Sequence, residues 1–235
     1  MNIIKNKRAI SHIEIVLSFV IFAGFLVFLL AIFNPFQVVD NNTNSIDKLE
    51  RVITNYLSTD LSLVSFNTSK HDDKTCFEVE ENYDFSNVIV KNQAKDVIKA
   101  TKHENKIDVE YSGTFYTIYS NPDFSENSLL TNDCKTIDLT KGEGIFGILR
   151  TVKASSYTNL TKFNQTYYNN YGSLKSSLQI SKDFSFSVRD SSSNTLMKGE
   201  RKTMSNRIAS RDIPIELVYS NGDIKLAILN IKTWS

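Results

Sequence analysis

The chain has 235 residues, with 27 lysines and arginines against 26 aspartates and glutamates, a formal net charge of +1. That balance, with no basic stripe or clustered Lys/Arg run, argues against a nucleic-acid partner. Beyond the apolar start about 200 residues remain, enough for one domain of generous size or two small ones.

Lys5, Lys7 and Arg8 lead into a run from Ile15 to Phe33 in which Ser18 is the only polar side chain. A helix rises about 1.5 Å per residue, so about 20 residues cross a hydrocarbon core of about 30 Å. No polar stripe marks this run as the buried helix of a soluble protein. The spacing therefore predicts one N-terminal transmembrane helix over 10–34. A secretory signal peptide has a shorter apolar region, about 7–15 residues, ending at a small-x-small site. This run ends instead in Phe33-Asn34-Pro35-Phe36. Basic residues stay on the cytoplasmic side, so Lys5, Lys7 and Arg8 put the N-terminus inside and the bulk of the chain outside the cell membrane.

Glu14 is the odd residue, because a carboxylate in an apolar helix costs about 2.5–3.5 kcal/mol at the bilayer centre and needs a partner. Near the headgroups it is an ordinary interfacial side chain, as is His12. Yet Lys7-Arg8, the small residue Ala9, Glu14 five positions after it, and the apolar run together form a recognisable layout. This layout resembles the class III signal of prepilins, shared by type IV pilins, pseudopilins, and archaeal flagellins and pilins. The resemblance covers about 25 residues and implies cleavage between Ala9 and Ile10 by a membrane prepilin peptidase. It also implies stalk helices that bundle into a filament core, with Glu14 meeting the new amino group of a neighbouring subunit. Bacterial pilins usually have Gly and Phe around the cut, and archaeal signals often have Gln and Ser after it. Here Ala9, Ile10 and His12 stand at those positions, and the tolerance of archaeal members for Ala points to an archaeal pilin-like protein.

Removal of residues 1–9 takes three basic side chains and leaves 24 basic against 26 acidic. Residues 35–44, with Pro35 and an Asn-rich run at 41–44, read as a linker. Ser45 to Leu57 reads as an amphipathic helix, with Ser45 as N-cap and Ile46, Leu49, Val52, Ile53, Tyr56 and Leu57 at helical spacing. From Leu61 to about Leu139 the period falls to two. Strands are predicted at Leu61–Phe66, Cys76–Glu80, Val88–Val90, Ile107–Tyr111 and Phe115–Tyr119, with Ser112-Gly113 turning the last two into a hairpin. Gly142-Glu-Gly144 lacks the third glycine and the βαβ setting of a nucleotide loop, and reads as a turn into a strand at Ile145–Leu149.

Tyr157 to Leu178 reads as a single helix, with an apolar stripe through Tyr157, Leu160, Phe163, Tyr167, Tyr171, Leu174 and Leu178 and a bend at Gly172. Phe184–Val188 is a strand and Asp190–Asn194 a turn or loop. The last thirty residues form a hairpin of Ile213–Tyr219 and Ile224–Ile231 about Asn221-Gly222, with Pro214 at an edge or a strand start. The fold class is thus α+β: a transmembrane helix, then an extracytoplasmic β-rich domain over 45–235 with two amphipathic helices on antiparallel sheet. That domain is either one sheet or two lobes, 45–140 and 141–235.

Cys76 and Cys134 are the only cysteines and outside the cytoplasm are expected to pair. Zinc held by Cys76, Cys134, His71 and His103 lacks any close ligand spacing. Sequons stand at Asn41, Asn67, Asn159 and Asn164, about the number this composition gives by chance. No nucleophile elbow, metalloprotease helix or phosphate loop is present. The expectation is a structural protein without catalytic residues, metal or cofactor, partnered by membrane, prepilin peptidase and related subunits. The alternative is an uncleaved, single-pass membrane protein with an outer binding domain.

Overall fold

The computed structural model describes residues 7–33, 43–69, 74–81, 83–125, 134–201 and 208–234, and the side chains of the first helix from 14 to 29. The chain divides into two units, 1–45 and 46–235. The first contains helix α1, Lys7–Phe33. Among its described side chains, Ile15, Phe19, Phe22, Val27 and Phe28 are each more than half exposed.

The second unit is built on a ten-stranded sheet faced by a four-stranded one. Helix α2 (Thr43–Leu57) leads directly into β1 (Ser58–Thr68). Then come β2 (Cys76–Glu80), β3 (Val88–Asn92), β4 (Val97–Ile98), β5 (Ala100–His103), β6 (Lys106–Glu110), β7 (Phe115–Ser120) and β8 (Lys135–Thr136). A 3₁₀ turn at Leu139–Lys141 precedes β9 (Gly144–Phe146) and β10 (Arg150–Ser156). Helices α3 (Tyr157–Asn169) and α4 (Tyr171–Ser177) are followed by β11 (Asp183–Asp190), β12 (Thr195–Gly199), β13 (Ile208–Val218) and β14 (Ile224–Trp234).

The large sheet runs β12-β11-β14-β13-β10-β1-β7-β3-β4, with β9 also on β1, and the small one runs β5-β6-β2-β8. One face of the large sheet is covered in two halves. Over β11, β13 and β14, the α2 residues Leu49, Ile53 and Leu57 join Leu160, Phe163 and Tyr167 of α3 and Leu174 of α4 against Phe184, Phe186, Leu217, Leu229 and Ile231. The recurrence of α2's buried positions at three- and four-residue steps is why it docks as a helix. Over β1, β7 and β3, the small sheet supplies Phe77, Val79, Ile107 and Val109 to Val64, Phe66, Tyr116 and Ile118.

The expected architecture is corrected in three respects. Among the described residues no helix is long and apolar enough to cross a membrane. The side chains described in α1, 14–29, cover only about 24 Å of axis against a hydrocarbon core of about 30 Å. Among the described residues there are four α-helices, because the stripe read as one helix over 157–178 is two. The break falls at Asn170 (φ −151°, ψ 63°) and not at Gly172: the Asn170 carboxamide accepts the Ser173 N–H at 3.2 Å, capping a new helix while ending the old one. Finally, the sheets are mixed rather than antiparallel. β13 runs parallel to β10 at Ser155↔Leu217, because the β13–β14 hairpin inserts between β10 and β11, and β8 runs parallel to β2.

Two local expectations also change. Ser112-Gly113 makes no hairpin, since β6 lies in the small sheet and β7 in the large. Gly113 takes φ +125°, open to glycine alone, and the Tyr116 hydroxyl ties the corner by accepting from Ser112 N and donating to Gly113 O. Residues 145–149 are likewise not one strand. The register of β1 shifts by one between Phe66↔Phe146 and Leu63↔Arg150, so Gly147–Leu149 forms a bulge that leaves Ile148 92% exposed.

Candidate functional site

The residues singled out in the first unit fall on the start of α1. Lys5 lies outside the described residues, while Lys7, Arg8, Ala9 and Ile10 make the first helical turn. Glu14 is exposed and stands four residues after Ile10, one turn along the same helix face. From Ile15 to Leu29 the helix carries no further ionisable group, so Glu14 is its lone carboxylate, followed by an apolar rod. Chemically, such a rod can bury itself in hydrocarbon or against like helices, and its carboxylate needs a cationic partner when it does so.

Cys76 and Cys134 are bonded, with Cα atoms 4.7 Å apart. The bridge joins the first residue of β2 to the residue before β8, beside the parallel pair Phe77↔Lys135. His103 lies on β5 and far from any cysteine role, and His71 lies outside the described residues. Among the described residues no group of His, Cys, Asp and Glu is arranged to hold a metal ion.

A second polar constellation sits on the small sheet, and residue spacing gave no hint of it. Glu81, just past β2, is buried and bonded to the Lys102 ammonium of β5 at 3.0 Å. Lys102 also donates to the Phe85 carbonyl, and the second Glu81 oxygen has no partner among the described residues. Burial pushes the Glu81 carboxyl above the ordinary carboxylate value, against the opposing pull of Lys102. Asp108 on β6 is raised for the same first reason, burial, and then by Glu78, while His103 3.6 Å away pulls it down. Beside these groups lies a cleft of about 470 Å³ lined by Phe85, Ser86, Asn87, Thr101, Lys102 and His103. Its Lys102 is already paired with Glu81, and His103 has no hydrogen bond to a hydroxyl among the described residues. Glu81 is buried by elements around β2 that its own strand pattern does not announce, whereas Asp108, between the core residues Ile107 and Val109, lies on the other face of the small sheet beside Glu78.

A scan against protein-family models, a search of curated proteins and a search of solved structures each return no match.

Proposed function

We propose that the chain is a pilin-like surface subunit: cut between Ala9 and Ile10 by a prepilin peptidase, held at the cell membrane, and assembled through α1 with copies of itself or related subunits. Its function is assembly and surface display by the extracytoplasmic unit, without turnover. The observation that carries this reading is α1 itself, a rod whose described apolar side chains are largely exposed, with Glu14 as its lone carboxylate. Apolar surface of that extent has to be removed from water. The Cys76–Cys134 bridge supports an oxidising compartment for the second unit.

Cleavage leaves an amino group on Ile10, four residues before Glu14. A neighbouring helix displaced by about 6 Å along the axis brings its amino group level with Glu14, at about 1.5 Å per residue. In a low-dielectric bundle that pairing sets register more than it adds net stability. The first test is the mature N-terminus in membranes of the native cell, by mass spectrometry. A chain beginning at Ile10 is expected; one still beginning at Met1 or Asn2 overturns the processing and leaves an anchored surface protein. The second is Glu14→Ala, expected to abolish filaments while membrane association is kept. Normal filaments from that variant would remove the register role.

A further inference from the structure

The four sequons are equal in sequence and unequal in structure. Asn159 and Asn164 lie within α3 and are half-buried. The Asn159 carboxamide donates to Ser58 O, the Asn164 side-chain oxygen is buried, and the hydroxyls of Thr161 and Thr166 are turned back onto the carbonyls of Tyr157 and Lys162. A transferase needs the amide nitrogen bare and the hydroxyl residue presented beside it, and α3 withholds both. Asn41 lies outside the described residues.

Asn67 differs in its exposure and its carboxamide, although the Ser69 hydroxyl, like those of Thr161 and Thr166, donates to a backbone carbonyl, that of Glu143, at 3.4 Å. It is exposed, sits at the penultimate position of β1, and its carboxamide makes no hydrogen bond among the described residues. Ser69, the hydroxyl residue of its sequon, is also exposed and lies just past the strand end. Its neighbours are unusual for an open sheet face. Asn67 is in direct register with Phe115 of β7 on one side and Ile145 of β9 on the other. Directly opposed residues have Cβ atoms about 4.5–5.5 Å apart, so the carboxamide stands between two apolar side chains. Phe115 is 40% and Ile145 67% exposed.

We propose that Asn67 carries an N-linked glycan whose first sugars lie over Phe115 and Ile145. The attachment is a glycosyl transfer from a lipid-linked sugar phosphate or pyrophosphate. The Asn67 Nδ2 forms a bond to the anomeric carbon, the anomeric C–O bond to the phosphate breaks, the phosphate leaves with the bond's electrons, and the amide proton is lost to base. Neither partner changes oxidation state. The apolar C–H face of a pyranose covers a phenyl ring and an isobutyl-sized side chain, which takes both out of water. The glycan thus occupies a site that an unmodified chain leaves as an adhesive spot on the sheet face.

The inference rests on the extracytoplasmic placement of the second unit, and one digest separates the two. Protein from the native cell is cleaved with trypsin, and the peptide 52–70, in which Asn67 heads the only sequon, is sequenced by fragmentation alongside the N-terminal peptide. The expected result is peptide 52–70 heavier by whole sugar residues with the added mass on Asn67. The added mass should be lost in Asn67→Gln and retained in Asn159→Gln and Asn164→Gln. A bare Asn67 in a chain that begins at Ile10 overturns the glycan and leaves the pilin-like reading standing. A bare Asn67 in a chain that begins at Met1 overturns both. A sugar on Asn159 or Asn164 with Asn67 bare overturns the structural selection argued above.

Discussion

Glu81 makes the sign of one pH effect explicit. Its folded carboxyl binds a proton more readily than the ordinary value of 4.5 allows, because burial penalises the charged form more than Lys102 rewards it. The folded state therefore holds more protons than the unfolded one between pH 4.5 and the raised value, and stability falls as pH rises through that window. Asp108 contributes with the same sign, starting from 3.8. Asp183 works the opposite way: its bond to Lys175 holds its carboxyl low, so its contribution is present above its ordinary value and lost as pH falls. In Glu81→Gln the fall in stability above pH 4.5 should be shallower than in the parent, read as urea midpoints at a series of pH values. Superimposable slopes would show that Glu81 does not titrate in this range. Gly199 offers a steric test at the same scale. A Cβ there would stand 2.3 Å from Phe186 and 2.8 Å from Tyr167, so Gly199→Ala should cost about 1–3 kcal/mol in denaturant unfolding.

At the level of elements, the caps and the bridge are separable contributions. Ser156 ends β10 and caps α3, accepting the Asn159 N–H at 3.0 Å while its hydroxyl donates to Asp123. Ser156→Ala should cost about 1 kcal/mol from the cap alone, with the Asp123 bond adding to it. The Cys76–Cys134 bridge closes a sequence separation of 58, worth about 4 kcal/mol in the chain-entropy model. The double serine variant should lose a comparable amount of stability in urea, and reductant should leave that variant unchanged while lowering the parent. Which elements were legible follows from how their residues alternate. β2 reads directly from Cys76-Phe-Glu-Val-Glu, and α2 from its four buried apolar positions. β10 reads as nothing: Arg150-Thr-Val-Lys-Ala-Ser-Ser has two apolar residues in seven, and its strand state comes from β1 alongside it. β5, with Thr101, Lys102 and His103, is extended only because it pairs with β6. The corner at Gly113 and the break at Asn170 depend on side chains that satisfy backbone groups, which periodicity does not register.

For the whole molecule, the decisive feature is a pairing between distant parts of the chain. Whether residues 45–235 held one sheet or two lobes was open from sequence; the strands lie in two sheets, and the larger takes strands from both halves around β1. One edge of β1 takes β7, and the other takes β10 and β9 end to end, so strands from both halves share a sheet. Such long-range choices leave no local periodic mark, since any of several amphipathic strands could have lain beside β1. The proposed processing motif is contiguous, from the basic residues through Ala9 and Glu14 to the apolar run, so proposing it required nothing of the fold. The two units differ accordingly in what they need from their surroundings. The unit over 46–235 closes its own core between helices, the large sheet and the small sheet. The described apolar side chains of α1, such as Phe19 and Val27, stay more than half exposed. A chain beginning at Thr43 and made in an oxidising compartment should therefore be soluble and monomeric, with the Cys76–Cys134 bridge formed. The chain beginning at Ile10 should stay monodisperse only in detergent and associate when detergent is removed. Sedimentation of the two in parallel reads the difference directly: association of the Thr43 chain would place an assembly surface on the sheets, and a monomeric Ile10 chain in plain buffer would deny α1 its role.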